Sequence, residues 1–302
     1  MDSRVSQVRR LGQSFWRLGS CHAAAYLVRG AEASAIFEAG ISATAPLVLS
    51  QIDALGVARE EVRHLIISHA HADHATGQAG LMAGLPRATL LLTQASADFL
   101  ARPKTLEHYA YEDGFTSAAV AERDGLTSFG PWPALSPLLP SPWRVLDPAE
   151  ELDLGGVSLR FLADQGHAPG GLIAHIPQEG AVLAADSAGF ANHQGQIFPL
   201  YFVSYTGYLK NLDEIAALSP TFLGLGHQVC FEGPDVDRYL AHLAEYLASE
   251  RKGVRRDHAA GVANEDLVRG MFQRHYHGEM TLYSAEGIVN CCRILVRRSL
   301  EG

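Results

Sequence analysis

The 302-residue sequence holds only four cysteines, Cys21, Cys230, Cys291 and Cys292, and the last two are adjacent. So sparse a set does not make a disulfide framework and suits free thiols in a reducing compartment. No apolar run approaches the roughly 18 residues a transmembrane helix needs. The opening MDSRVSQVRRLGQSFWRLG lacks an apolar stretch of the secretory-signal kind. A cytoplasmic protein is expected. Positive charge is short too, with 24 Lys and Arg against 33 Asp and Glu and a formal charge of -9. No basic stripe stands out to hold a phosphate backbone, so neither nucleic acid nor membrane is expected as a partner. Solenoid repeats and low-complexity tracts are missing as well. Apolar residues are plentiful, 47% against 19% charged, which is enough for a sizeable core.

Short apolar or alternating runs predict strands at 22–28, 33–38, 63–68, 88–93, 157–163, 171–176, 181–185 and 221–225. Helical spacing appears between several of them, at 45–55, 73–82, 106–122 and 208–218. That alternation predicts an α/β, or α+β layered, fold. Residues 129–142, FGPWPALSPLLPSP, carry five prolines, which bar a helix or a central strand. A loop is expected there, a candidate lid with the helix before it, bracketed by Trp132 and Trp143. After Pro234 the pattern is helical at 235–248, 264–275 and 281–299, with Asp235 and Thr281 as candidate caps. The expected division is a main domain, 1–232, and a helical extension, 233–302.

Histidine carries the chemical signal. The strand at 63–68 runs into His69-Ala-His71-Ala-Asp73-His74, four potential ligands in six residues. Residues two apart in extended chain point the same way, so His69 and His71 pair, while Asp73 and His74 open a helix. With 14 histidines in the chain, chance would produce this pattern in about one sequence in a thousand. Three more candidates follow at the ends of apolar runs: His167 in Gly166-His167-Ala168-Pro169-Gly170, Asp186 in AVLAADS, and His227 after Gly226. Singly, each reads as a loop or structural residue. Jointly, at strand ends where α/β sheets collect ligands, they predict a metal centre. His64, His175, Cys230, Cys291 and Cys292 read as structural, and Arg251, Lys252, Arg255 and Arg256 as a solvated run.

Taken in order, these motifs resemble those of the metallo-β-lactamase fold superfamily over about residues 20–232. Glu38 in IFEAG stands where that family has a strand-end acid. The resemblance implies a metallo-β-lactamase-like αβ/βα sandwich whose C-terminal helical extension covers the site. It also implies two divalent ions, zinc, iron or manganese. His69, His71 and His167 would hold one, Asp73, His74 and His227 the other, and Asp186 would bridge. A metal-bridging hydroxide would attack the substrate, with Asp73 or a metal-bound water moving the proton. Length and helical tail look like glyoxalase II-type and quinolone-signal response thioesterases. The implied activity is hydrolysis of a small ester or thioester, an acyl substrate. Alternatives are a lactonase or phosphodiesterase of the same fold, an iron enzyme handling oxygen or sulfur, or a metal-binding signalling protein with incidental hydrolysis. The motifs depart from the family at His-Ala-Pro and Gly-His-Gln, where surrounding hydrogen bonds would change. In the aromatic stretch 190–208, His193, Tyr201 and Tyr205 are the candidate substrate contacts. The tail helices are also a candidate homodimer surface.

Overall fold

Many of the predicted strands are apolar at successive positions, which suits a strand covered on both faces. The computed structural model describes residues 8–126 and 135–301 and shows what covers them. One sheet holds β1 (Arg9–Arg10), β2 (Phe15–Gly19), β3 (Ala24–Arg29), β4 (Ser34–Phe37), β5 (Val62–Ile66), β6 (Thr89–Leu92) and β7 (Trp143–Val145) in sequence order. It is antiparallel from β1 to β4 and parallel from β4 to β7. The second sheet comprises β8 (Glu151–Asp153), β9 (Ser158–Ala163), β10 (Leu172–Ile176), β11 (Ala181–Leu183), β14 (Phe222–Gly224) and β15 (Cys230–Glu232). Its order is β15-β14-β11-β10-β9-β8, parallel only between β11 and β14. A small ribbon of β12 (Phe190–Ala191) and β13 (Ile197–Phe198) stands apart.

Alternate side chains of each central strand enter different cores. Ile36, Leu65 and Leu90 face α1 (Ala45–Ala54), α3 (Gln78–Gly84), α4 (Gln94–Leu100) and α5 (Pro103–Arg123), while their neighbours Phe37, Ile66 and Leu91 face the other sheet. In the second sheet Leu172 and Ala174 point inward and Ile173 outward, and Val182 points outward between Ala181 and Leu183. The result is the expected αβ/βα sandwich.

The outer layer over the second sheet is α6 (Tyr205–Ala217), α7 (Pro234–Ala259), α8 (Asn264–His275) and α9 (Ala285–Leu300). Leu243, Leu247, Met271 and Leu295 from these helices share one core with Ile173, Val182 and Leu223 of the sheet. Each such side chain stabilises the fold by about 1.5–3 kcal/mol. The helices after residue 233 thus complete a core, and removing them would bare a sheet face.

Some expectations are corrected. The helix expected at 73–82 is two, α2 (Ala72–Ala75) and α3, broken around Gly77, where a Cβ would stand 2.2 Å from the Ala39 carbonyl oxygen. The helix expected at 106–122 starts earlier, at Pro103, whose fixed φ suits the first turn. The cap of α9 is Ser284, whose hydroxyl accepts from the Gly287 amide, not Thr281. Asp235 lies inside the first turn of α7, favourable to its charge, rather than capping it. His64 sits within β5. The two-residue strands were too short to show periodicity. Trp143 is an exposed residue of edge strand β7, whereas Trp132 lies outside the described residues.

Candidate metal centre

Strands β4, β5, β11 and β14 all end at one edge of the sandwich, and the chemistry-bearing residues follow those ends. Glu38 follows β4, His69 and His71 follow β5, Asp186 follows β11, and His227 follows β14, with His167 in the β9–β10 turn. Asp73 and His74 lie on α2. All seven predicted ligands come together. The ligand atoms of His69, His71 and His167 form one group, those of Asp73, His74 and His227 a second, and those of His69, His74 and Asp186 link the two, each group lying within 4.8 Å.

What lies behind each ring decides what faces inward. His167 Nδ1 donates to the Leu200 carbonyl at 2.9 Å, and His227 Nδ1 to the His22 carbonyl at 3.2 Å. His74 Nδ1 donates to the buried Glu38 carboxylate, and His69 Nδ1 lies 2.8 Å from the Ser68 hydroxyl. A neutral imidazole bonded in this way presents its other nitrogen as a lone pair. His167 Nε2 stands 3.2 Å from His69 Nε2 and 3.0 Å from His71 Nδ1. Nitrogens bound tetrahedrally at about 2.0–2.1 Å would be about 3.3 Å apart. On the other side Asp186 Oδ1 lies 3.1 Å from His227 Nε2 and 3.4 Å from His74 Nε2, and Asp73 Oδ2 lies 3.6 Å from His74 Nε2. His74 Nε2 and Asp186 Oδ1 are buried with no hydrogen-bond partner. Converging lone pairs and orphaned atoms are costly unless a cation sits between them.

Protons would answer only half of this demand. Burial, aided by the neighbouring rings, holds His69 well below the ordinary histidine range and His71 at about 3. Burial would also lower His74 and His227, but Asp186 and the acids beside it outweigh burial and raise both. Burial pushes Asp186 up, yet the His74 and His227 rings hold it well below the usual carboxylate range. The acidic side can trap a proton, while His69 and His71 stay bare, ready for a Lewis acid.

The surrounding residues are largely ones that sequence reasoning missed. Asp164 accepts from the amides of Gly166, His167 and Ala168 at 2.8–3.0 Å and so shapes the His167 turn. Tyr208 donates to the Asp186 carbonyl at 2.7 Å, and Tyr109 of α5 donates to the Ala70 carbonyl between His69 and His71. Asp113 gathers Ser42, Thr76 and Ser117 and ties α5 to the site. Glu38 has φ 79°, uncommon without glycine, at a buried strand end where its carboxylate braces His74. Gly226 leaves room for His74, since a Cβ there would lie 2.5 Å from that ring. The Asp-x-x-His spacing of Asp164 and His167 was the one local signal available for any of these.

A cavity of about 300 Å³ opens beside the cluster, with His71, Asp73, Asp186 and His227 in its wall. Its apolar lining includes Phe99, Phe190, Phe198, Phe202, Met280 and Ile288, and Tyr283 stands with its hydroxyl 3.4 Å from His227 Nδ1. Of the tail, α9 and the residues just before it reach this wall, while α7 and α8 pack behind. The three candidate substrate contacts are placed elsewhere. His193 is exposed on the turn of the small ribbon. Tyr201 is buried with its hydroxyl on Ser299, and Tyr205 packs under the Arg251 guanidinium, 4.5 Å from its ring centre. Stretch 190–208 supplies Phe190, Phe198, Leu200 and Phe202 instead, because its turns bring those side chains inward. Cys292 is buried in the core, whereas Cys291 shares the cavity wall.

The metallo-beta-lactamase superfamily signature matches residues 18–227. Among solved structures, a metallo-beta-lactamase family protein from Thermus thermophilus aligns with a TM-score of 0.60 at 20% identity, covering 88% of this chain and 86% of that one. An archaeal metallo-beta-lactamase superfamily protein from Sulfolobus tokodaii gives 0.55 at 19%, covering 81% and 86%. A stereoselective inverting sec-alkylsulfatase from Pseudomonas sp. gives 0.60 at 16%, covering 98% of this chain and 50% of the sulfatase. At these identities the likeness is one of fold.

Proposed function

The chain belongs to the metallo-beta-lactamase superfamily, and from that premise we propose that it is a metal-dependent hydrolase of a small ester or thioester. His69, His71 and His167 would hold one divalent ion and Asp73, His74 and His227 a second, with Asp186 between them. Bound there, such ions supply Lewis acidity and a nucleophile available at neutral pH. Imidazole and carboxylate donors suit zinc, iron and manganese alike.

The chain's own residues do the rest. The carbonyl group of a substrate would enter from the cavity, where the Asp73 side chain is 21% exposed and can pass a proton to the departing alcohol or thiol. Burial, with the Asp73 and Asp186 carboxylates nearby, raises the Tyr283 phenol well above its ordinary range, so it keeps its proton and stays a neutral hydroxyl beside the cluster. The braced imidazoles need not reorganise as charge develops.

The observation that carries the ester reading is the apolar cavity against the cluster. Among its described walls there is no lysine or arginine to hold a phosphodiester or the phosphates of a large anionic leaving group. The test is to load purified protein with zinc, manganese or ferrous iron and measure hydrolysis of matched thioesters, esters, lactones and phosphodiesters, before and after chelation. Chelator-sensitive turnover of esters or thioesters is expected. Faster phosphodiester turnover, or metal binding with no turnover of any substrate, would overturn it.

A further inference from the structure

One acidic group in the cavity wall is left over from the hydrolytic reading. Glu112 on α5 is half-buried and faces the cavity. Its two carboxylate oxygens lie 3.1 Å from the Ser284 hydroxyl, which carries a single hydrogen. A carboxylate has about four acceptor positions, and no lysine or arginine pairs with this one among the described residues. Asp113, its neighbour, differs in being buried and saturated by Ser42, Thr76 and Ser117. An anion in a largely apolar wall with open acceptor positions attracts a cationic donor and repels another anion.

We propose that Glu112 selects the substrate: it receives an ammonium group carried on the acyl chain and rejects acyl chains that end in a carboxylate. This rests on the hydrolase reading for the word substrate, but the recognition itself does not require turnover. Glu112 would be a specificity residue, remote from the reacting carbonyl.

The metal-loaded protein is assayed on three thioesters of equal length, 6-aminohexanoyl, hexanoyl and adipoyl. Binding of hexylamine and hexanol is measured by calorimetry in parallel. The expected kcat/KM order is amino over neutral over carboxylate, with at least a tenfold span between the ends, and hexylamine binding tighter than hexanol. Glu112→Gln, which still accepts from Ser284, should shrink that span at least tenfold, and Glu112→Lys should reverse it. Ser284→Ala, which removes the cap and the hydroxyl on Glu112 but leaves the carboxylate charge in place, should keep it. An unchanged order in Glu112→Gln, with a lowered Tm alone, would make Glu112 a brace for α9 and overturn the inference. Amine preference without turnover of any thioester or ester would instead sink the hydrolase reading and leave this inference standing.

Discussion

Across the cavity, two walls face each other and are built differently. On the ligand side, side chains from four chain segments are held by partners behind them: Glu38 behind His74, Leu200 behind His167, His22 behind His227 and Tyr208 on Asp186. On the opposite side, α5, α9 and the residues before it present half-buried side chains such as Glu112, Tyr283 and Ile294. Ligand-side geometry is over-determined, so a change there should be felt by the chemistry. The helical side rests on a continuous core behind it, so a change at its surface should be felt in the choice of substrate. Reaction and selection thus have separate seats in this molecule.

The largest effect that could break this contrast comes from the ligand side. Asp73→Ala and His71→Ala, like chelation, should lower kcat/KM by about 10³ or more, with far-ultraviolet circular dichroism unchanged. Turnover retained by Asp73→Ala would remove the two-ion version. Leu295→Ala on the helical side empties a fully buried site and should cost about 2–5 kcal/mol of stability, read as a lower Tm, while metal content per folded molecule stays the same. Glu38→Gln weakens the support of His74 and should cost about 10–100-fold in metal affinity or activity. Equal affinity in a metal titration would show that the outer bonds are dispensable and blur the contrast.

Two smaller effects sharpen it. Ile294→Ala, beside Leu295 but on the cavity, should leave Tm and metal content nearly unchanged and shift acyl-length preference a few-fold, measured as kcat/KM across chain lengths. Acid should weaken the sheet beneath the ligand wall. Burial lowers His64 in β5 from 6.5 to about 4, so between those values the unfolded chain binds a proton that the folded chain refuses. Stability is therefore lost as pH falls from 6.5 toward 4, and His64→Gln should flatten that part of the Tm profile of the metal-free protein. A wild-type profile no steeper than the variant's would contradict it.

Much of the ligand side was legible in the sequence, because short extended and helical segments place side chains by local geometry. His69, His71, Asp73 and His74 needed only the end of one strand and the start of one helix. His167, Asp186 and His227 were legible as residues at strand ends, and as one group only by their order along the chain. The substrate side was not legible. His193, Tyr201 and Tyr205 share a stretch with true wall residues, but the turns around the small ribbon send one outward and two into packing. Glu112 and Tyr283 belong to no motif and lie far apart along the chain. Packing of α5 against the segment before α9, marked by the Glu112–Ser284 contact, is what brings them to one wall.

The sequence by itself determined the layered fold and the donor types at one sheet edge, since periodicity and strand-end position act over a few residues. Only the tertiary structure decided which nitrogen of each ring faces inward, because that depends on an acceptor supplied from elsewhere, such as Leu200 or His22. It also decided which of many aromatic and acidic side chains wall the cavity, a matter of how distant helices pack rather than of any local pattern.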